Sequence, residues 1–567
     1  MYASDEQTVI TSPEKCGAEI ASHFTPQFHN PELPSSLFLR PAPLDYPITV
    51  EEVEKAIMKL SNGKACGYDG IPAELLKYGR TELGPQIAEI FNNLFEKGIN
   101  IKAISHGMLI PLLKPSKPAK EKSSLRPITL LTVLRKTLSL LTLERIQEKV
   151  KEQVSPNQSG FRKGRSTTDC LWTHRFLAAT ALRCKSKDDK PFKIHITGID
   201  FSKAFDTINR QKLIEILKKN HYREDHIRMI TLLLSDTSLA VKYEQHLGAP
   251  FNSNNGTPQG DGLSPVLFII YLSAVIEDLE DNLPLTFSMN DDLDITVNYA
   301  DDLDFINTDS QKLQMIEEIA PAIFAKWNLK MNISKTEYTT IQRSTTAEVS
   351  EWRRTKKLGS LLGDAEDVQR RMNSSRSVEG QLWKIFSNED HLPENERLKV
   401  YNTYIRPVLL YNSSTWGITQ TLLSKIESFH RQQLRRKVVK VFYPRKISNS
   451  ELYRRTNSQP IGIDILQSRW KQFRRMLLLP MNTPPQKAMD FYYQTIDNLQ
   501  PGEKFKGKQI KCLPIVLNDD LSRIGLSLKT TVDLNDIRMT ATNAVKWDQL
   551  VEEILMAYKG HQAEHPN

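Results

Sequence analysis

The sequence predicts an α+β protein, on three observations. Strand-like alternation of apolar and polar residues concentrates between about residues 190 and 345. Within that region "ITVNYADDLDFI" reads as a strand, a tight acidic turn and a returning strand. Beyond about residue 350 the apolar residues recur almost wholly at helical spacing. A chain of 567 residues is long enough for several domains or one large multi-lobed protein with a generous core.

Taken in order, residues 1–48, Pro- and Ser-rich around "NPELPSSLFLRPAPLDYP", read as an extended lead-in. Thr49 and Glu52 form a capping box for a helix whose Val53, Ile57 and Leu60 share a face. The turn "NGKACGYDG" precedes a second helix with Pro72 in its first turn. Mixed strands and helices fill 105–345. Phe192, Ile194 and Ile196 alternate along a strand that arrives at Ile199-Asp200. A strand-end Asp followed by Ser202-Lys-Ala-Phe is either a helix cap or a ligand-bearing carboxylate, and the residues alone leave both open. The chain carries the tetrapeptide Asp-Asp-Leu-Asp twice, at 291–294 and 301–304. The flanking strands mark Asp301-Asp302 as the chemical pair, whereas Asp291-Asp292, after Pro284, Ser288 and Asn290, read as a solvated loop. Further on, Leu398, Tyr401 and Ile405, then Leu422, Ile426 and Phe429, repeat as helix faces.

An apolar fraction of 39% and a charged fraction of 25% are ordinary for a soluble chain. Five scattered cysteines (16, 66, 170, 184, 512) with no C-x-x-C pair argue against a disulfide framework or zinc knuckle and for a reducing compartment. The first residues have neither a basic leader nor an apolar core, so no signal peptide is expected. The most apolar run, "LLTVLRKTLSLLTL", is interrupted by Arg135 and Lys136, which argues against a membrane partner. The net charge of +9 is local. Residues 425–475 hold fourteen Lys/Arg against Glu427, Glu451 and Asp464, a balance of +11 that leaves the other 516 residues at about −2. Phe429, Phe442, Tyr443, Tyr453, Trp470 and Phe473 are interleaved with those charges. A solvated helical face explains such a run, and so does contact with nucleic-acid phosphates; the one-signed excess favours phosphates, with Arg431, Arg435, Arg436 and Lys437 as candidate contacts.

Phosphoryl transfer by two metal ions needs carboxylates from separate elements converging on one place. Asp200 lies beside Asp301 and Asp302 if their strands pair in one sheet. The series "DFSKAFD", "GTPQGDGLSP" and "YADD", in this order and spacing, resembles the palm of reverse transcriptases. More closely, the chain resembles polymerases of non-LTR (LINE-type) retrotransposons. "ITVEEVEKAIMKLSNGKACGYDGIPAELLK" resembles their segment ahead of the fingers, and "LRPITLLTVLRKTLSLLTLERI" and "QSGFRKGRSTTDCL" resemble their finger motifs. "NLKMNISKTEY" and "KLGSLLGD" are similar to their segments beyond the catalytic turn, and the likeness runs more weakly to about residue 475.

That resemblance implies a right-hand polymerase: fingers and palm, the latter with an antiparallel sheet, over 49–350, a primer-grip turn and helical thumb over 351–440, and a basic, mainly helical region over 441–567. It implies an RNA-directed DNA polymerase joining deoxynucleoside triphosphates to a DNA primer on an RNA template. Asp200, Asp301 and Asp302 would hold two Mg2+ ions, with Mn2+ as an alternative. Lys335 would donate a proton to leaving pyrophosphate, although Lys is also common before such strands. Lys114 and Arg126 would grip the triphosphate, Arg suiting bidentate phosphate contact, or be surface charges. Phe205 would exclude a 2′-hydroxyl, its alternative being core packing. Gln259-Gly260 would approach nucleotide and template, with no side chain at the glycine to obstruct them. Arg162, Lys163 and Arg165 would follow the template backbone, and Gly359 would turn the primer grip.

LINE-type polymerases usually travel with an endonuclease, and the sequence carries no Cys/His cluster of that kind near its end. The expectation is DNA synthesis without independent target cleavage, in the nucleus or cytoplasm. A catalytically silent relative that binds RNA or DNA through its basic helices is the alternative. Protein partners are not legible.

Overall fold

The computed structural model describes residues 10–564 apart from 116, 119–120, 186–190, 284–292, 345–349, 388–391, 501–504 and 506–508. The tetrapeptide's first two acids, Asp291 and Asp292, lie outside the described residues. Ten strands occur among the described residues: β1 (His106–Leu113), β2 (Leu125–Leu131), β3 (Ile194–Ile199), β4 (Ser238–Tyr243), β5 (His246–Asn252), β6 (Asp294–Tyr299), β7 (Asp302–Asn307), β8 (Glu337–Ile341), β9 (Lys356–Lys357) and β10 (Ser360–Leu361). They form two four-stranded sheets and one two-stranded ribbon. The chain divides into two compact units, 1–162 with 199–288 and 315–335, and 163–198 with 289–314 and 336–567. The chain passes between the two units five times.

The first unit is built on the sheet β2-β1-β4-β5. β1 runs antiparallel to β2 and parallel to β4, which turns back antiparallel into β5. Alternation along β2 buries Leu125, Pro127, Thr129 and Leu131 and leaves Arg126 exposed. One departure from the sequence reading is large. Within the expected lead-in, Pro13–Phe28 is a helix, α1. Its Ile20, Phe24 and Phe28 are buried with Leu109, Leu125, Leu239 and Val241, so it covers one face of this sheet. Prolines at 13 and 26 read as breakers. Pro13 opens the helix, where the missing N–H has no partner to lose, and Pro26 falls in its last turn. The capping box at Thr49 forms: its hydroxyl accepts from Glu52 N, and Glu52 Oε2 accepts from Thr49 N at 3.0 Å. Val53, Ile57 and Leu60 are all buried, as their spacing requires.

The second unit holds the sheet β6-β7-β3-β8. β6 and β7 form the expected hairpin, closed by the pair Tyr299↔Asp302 across a two-residue turn. Ala300 in that turn has φ 57°, a left-handed conformation costing a non-glycine residue about 1–2 kcal/mol. The Thr167–Arg183 helix and the helices from 461 to 558 bury Trp172, Phe176, Trp470, Phe473, Tyr492 and Trp547 in a core that reaches Ile194, Ile295 and Val297 of the sheet. Beyond residue 364 every described regular element is helical. No described helix is long and apolar enough to cross a membrane.

Candidate active site

Asp200 continues β3 directly. No helix starts there: Lys203 adopts φ 55°, only a single 3-10 turn (Ala204–Asp206) follows, and the next helix is capped by Asn209. That removes the capping alternative for Asp200. Its backbone is held by the segment before Lys335, with Asp200 O accepting from Asn332 N at 2.8 Å and Ser202 N donating to Lys330 O at 2.9 Å. The same segment returns Lys335, whose Nζ lies 3.2 Å from Asp200 Oδ2. Two residues marked independently by the sequence therefore form an ion pair, and the pair is open to solvent, with 32% and 67% of the two side chains exposed.

Phe205 lies on the 3-10 turn, half-buried. Its ring stacks on Phe268 at 4.3 Å between centroids and meets the edge of Phe161 at 5.9 Å. The "GTPQG" loop docks on this turn: Gly256 N donates to Ile208 O and Thr257 N to Phe205 O at 2.8 and 2.9 Å. A Cβ on Gly256 would stand 2.5 Å from the Asp206 backbone, so only glycine permits the docking. Gln259 O accepts from Thr129 N of β2 at 2.8 Å, and Gly260, at φ 120°, would carry a Cβ 2.5 Å from Thr129 O. Arg210, which the sequence does not single out, is fully buried and donates to carbonyls of Ser253, Asn255 and Gly256. Burial, aided by Arg135, pushes its guanidinium down to about 9.

Cations gather in this unit. The Lys114 ammonium is pushed down by partial burial and then by Arg126, Lys203, Lys335 and Lys117. Lys114, Arg126 and Lys335 are expected from sequence. Lys203, inside "DFSKAFD", is not. Arg162 turns back on its own loop, donating to Ser155 O and Gln158 O.

In the second unit the hairpin presents Asp301 on its turn and Asp302 at the start of β7, exposed. The third acid of the cluster, Asp304, is a different object. It accepts from Lys357 Nζ at 2.8 Å and faces His174 Nε2 at 3.0 Å, while His174 Nδ1 faces Cys170 O at 2.7 Å. Burial pushes its carboxyl up, but Lys357 and His174 outweigh that and hold it at about 2. Gly198 of β3 makes room: a Cβ there would meet the Lys357 ammonium and stand 2.8 Å from Asp304 Oδ1. Gly198 is two residues before Asp200 and Asp304 three after Asp301. Leu358 and Gly359, both at positive φ, turn β9 into β10, the geometry of a two-residue hairpin turn.

Several of the expected contact residues have partners within the protein. The Arg165 side chain is 9% exposed and faces Asp169 at 3.9 Å. Arg431 pairs with Glu427, Arg435 donates to Asn449, and Lys437 pairs with Glu379 while lying over the Trp383 ring. Acids one helical turn away (Asp169, Glu427), a distant acid (Glu379) and Asn449 face these cations. Phe429, Trp470 and Phe473 are core. Among the residues left outward in the basic segment are Arg436, Phe442, Tyr443, Arg445 and Lys446, with Phe442 52% and Tyr443 87% exposed. Lys163 is likewise exposed.

Residues 114–368 match the family model described as reverse transcriptase (RNA-dependent DNA polymerase). That stretch, somewhat under half of the chain, is similar to the family. The curated relatives are polymerases of transposons and mobile elements. One, 26% identical over 307 residues covering 51% of this chain and 32% of the relative, is a probable RNA-directed DNA polymerase from transposon BS of Drosophila melanogaster. Another, 25% identical over 460 residues covering 76% of this chain and 48% of the relative, is the RNA-directed DNA polymerase from mobile element jockey of Drosophila funebris. The chain thus spans between a third and a half of the length of these curated relatives. Among solved structures, telomerase from Candida tropicalis in complex with a TWJ fragment of telomeric RNA aligns over 69% of this chain and 64% of its own, at 12% identity and a TM-score of 0.36.

Proposed function

We propose that this chain is an RNA-directed DNA polymerase that transfers nucleotidyl groups from deoxynucleoside triphosphates onto a primer 3′-hydroxyl along an RNA template. The observation that supports this reading is the match of residues 114–368 to the reverse transcriptase model, a span that contains Asp200, Asp301 and Asp302. Asp200 follows β3 directly, Asp301 lies on the β6–β7 turn and Asp302 opens β7. Carboxylate oxygens suit Mg2+, or Mn2+ in its place, and Mg2+ commonly takes one or two carboxylates and completes its shell with water and substrate phosphate. Among the described residues no three acidic, His or Cys side chains stand close enough to hold an ion together. Two ions held by Asp200, Asp301 and Asp302 would supply activation of the attacking hydroxyl and charge neutralisation at the phosphorus. The chain's own residues do the rest. Lys335 holds its ammonium beside Asp200, from where it serves the leaving pyrophosphate as a proton donor. Lys114, Arg126 and Lys203 balance the triphosphate charge. Phe205, backed by Phe268, is a rigid ring against which a 2′-hydroxyl has no room.

Template and primer contact falls to the outward cations and rings, Lys163, Arg436, Phe442, Tyr443, Arg445 and Lys446, since rings stack on bases and cations on phosphates. The turn at Gly359 takes the primer. Five scattered cysteines with no C-x-x-C pair suit a reducing nuclear or cytoplasmic setting. Primer extension on homopolymer RNA tests the proposal: wild type extends, Asp301→Asn falls to background with nucleic-acid binding retained, and Asp291→Asn is unchanged. Equal extension by wild type and Asp301→Asn would overturn it.

A further inference from the structure

Gln27 and Asp206 are joined by a buried polar contact beside the Gln259 loop. Gln27, on the last turn of α1, donates through Nε2 to Asp206 Oδ2 at 2.6 Å. Gln259 donates through Nε2 to both oxygens of the same carboxylate, at 3.0 and 3.1 Å. Gln27 is 8% exposed and Asp206 2%. One carboxylate therefore links a helix 179 residues upstream to a loop 53 residues downstream. Burial pushes the Asp206 carboxyl up to about 6, against the pull of Gln259, Gln27 and Lys203. A second tie on α1 points the same way: Glu19 pairs with Lys122 at 3.0 Å, immediately before β2. The helix thus grips both the strand bearing Arg126 and the turn bearing Phe205.

We propose that Gln27 and Asp206 are positioning residues for Gln259, so that α1 is a working part of the nucleotide pocket and not only a cover for its sheet. The proposal rests on the polymerase reading above. With its NH2 group committed to Asp206, Gln259 offers a nucleotide its carbonyl oxygen, an acceptor. A free Gln side chain would sample both orientations and many rotamers, and would lose that freedom on binding. Fixing it beforehand strengthens nucleotide binding without touching the reacting atoms. The geometry also predicts which substitutions matter. Gln27 Oε1 is buried without a hydrogen-bond partner. An Asn at 206 would keep a carbonyl for Gln259 and turn its NH2 to Gln27, whose amide flips to receive it on Oε1. Leu at either position offers nothing.

The test uses the full chain as wild type, Gln27→Leu, Asp206→Leu and Asp206→Asn. Expected is a rise in dNTP KM of roughly tenfold for the two Leu variants, with kcat within about threefold, and near wild-type values for Asp206→Asn. A second measurement needs no activity: amide hydrogen exchange over residues 256–260 without nucleotide, where protection falls in Gln27→Leu and holds in Asp206→Asn. Unchanged KM and unchanged protection in Gln27→Leu would overturn the inference. So would Asp206→Asn as damaging as Asp206→Leu, since that would put charge in place of amide geometry. A wild-type protein that extends no primer would sink the polymerase reading, while the exchange measurement still decides the positioning.

Discussion

Replacing Asp304 by Asn leaves the Lys357 ammonium, 9% exposed, without the carboxylate 2.8 Å away. Two routes give the size of the loss. Holding a carboxyl at about 2 in place of its ordinary 3.8 stabilises the folded chain by about 2 kcal/mol at neutral pH. Removing one partner of a buried pair costs about 3–5 kcal/mol, because the other charge stays buried. Glu337, 3.4 Å from the same ammonium but half exposed, retains part of the counter-charge and moves the expectation to the low end, about 3 kcal/mol. The sign of the pH dependence comes from the lowered carboxyl. Its stabilisation is complete above the unfolded value near 4 and is lost as pH falls towards about 2. Urea unfolding of wild type and Asp304→Asn should give a difference that is flat between pH 7 and 5 and shrinks below pH 4. A double variant, Asp304→Asn with Lys357→Met, should recover most of the loss, since removing both charges leaves none buried alone. A single variant as stable as wild type, or a difference that grows on acidification, would refute the reasoning.

Phe205→Ala should raise the ribonucleotide to deoxynucleotide ratio of kcat/KM, because removing a clash helps the excluded substrate more than the accepted one; an unchanged ratio with activity retained would make the ring core packing on Phe268. Arg436, Arg445 and Lys446 changed together to Ala should flatten the salt dependence of primer–template binding by up to about 3 in log–log slope. Arg435→Ala with Lys437→Ala should lower thermal stability and leave that slope nearly unchanged, since both side chains face protein partners; a slope change as large as for the exposed set would reverse the assignment. Phe24→Ala, on a side chain 2% exposed in the core of α1, should cost about 3–5 kcal/mol, whereas a neutral result would mean that α1 is not docked in solution.

The acidic hairpin is legible in the sequence because its evidence is local. A period of two on both sides of a short turn specifies strand, turn and strand wherever the chain lies, and β6 and β7 pair in unbroken register from Asp294↔Asn307 to Tyr299↔Asp302. The capping box at Thr49 is legible for the same reason, a few residues with one conformational meaning, whereas the turn at Gly359 is expected only from the family resemblance. Asp304 is not. It repeats Asp294 of the first tetrapeptide, and the difference between them lies in a Lys 53 positions away and a His 130 positions away. Asp206 and Gln27 escape a sequence reading on the same grounds. The N-terminal helix is hidden by composition, since its prolines sit at the two ends where a helix tolerates them.

The basic segment shows most sharply how much composition leaves out. Its +11 reads as charge awaiting phosphates because the count takes only acids within the segment. Folding brings others: Glu379 to Lys437, Glu394 to Arg455, Asp169 to Arg475 and Asp520 to Arg469. Electrostatic demand belongs to a volume of about a Debye length, ~10 Å across, and not to a stretch of chain. Of the six aromatic residues interleaved with the charges, three are core and only Phe442 and Tyr443 stand well clear of the protein. These two precede Pro444 and lead into Arg445 and Lys446, so apolar rings and cations share one exposed stretch. Rings left in water next to exposed cations bring no stability to the folded chain. Stacking on bases, with the cations on the adjoining phosphates, is the use that engages both groups at once. Phe442→Ala with Tyr443→Ala should therefore weaken single-stranded RNA binding by about 1–3 kcal/mol per stacked base without changing the thermal midpoint. Loss of binding accompanied by an equal loss of stability would mean that the rings serve the fold instead.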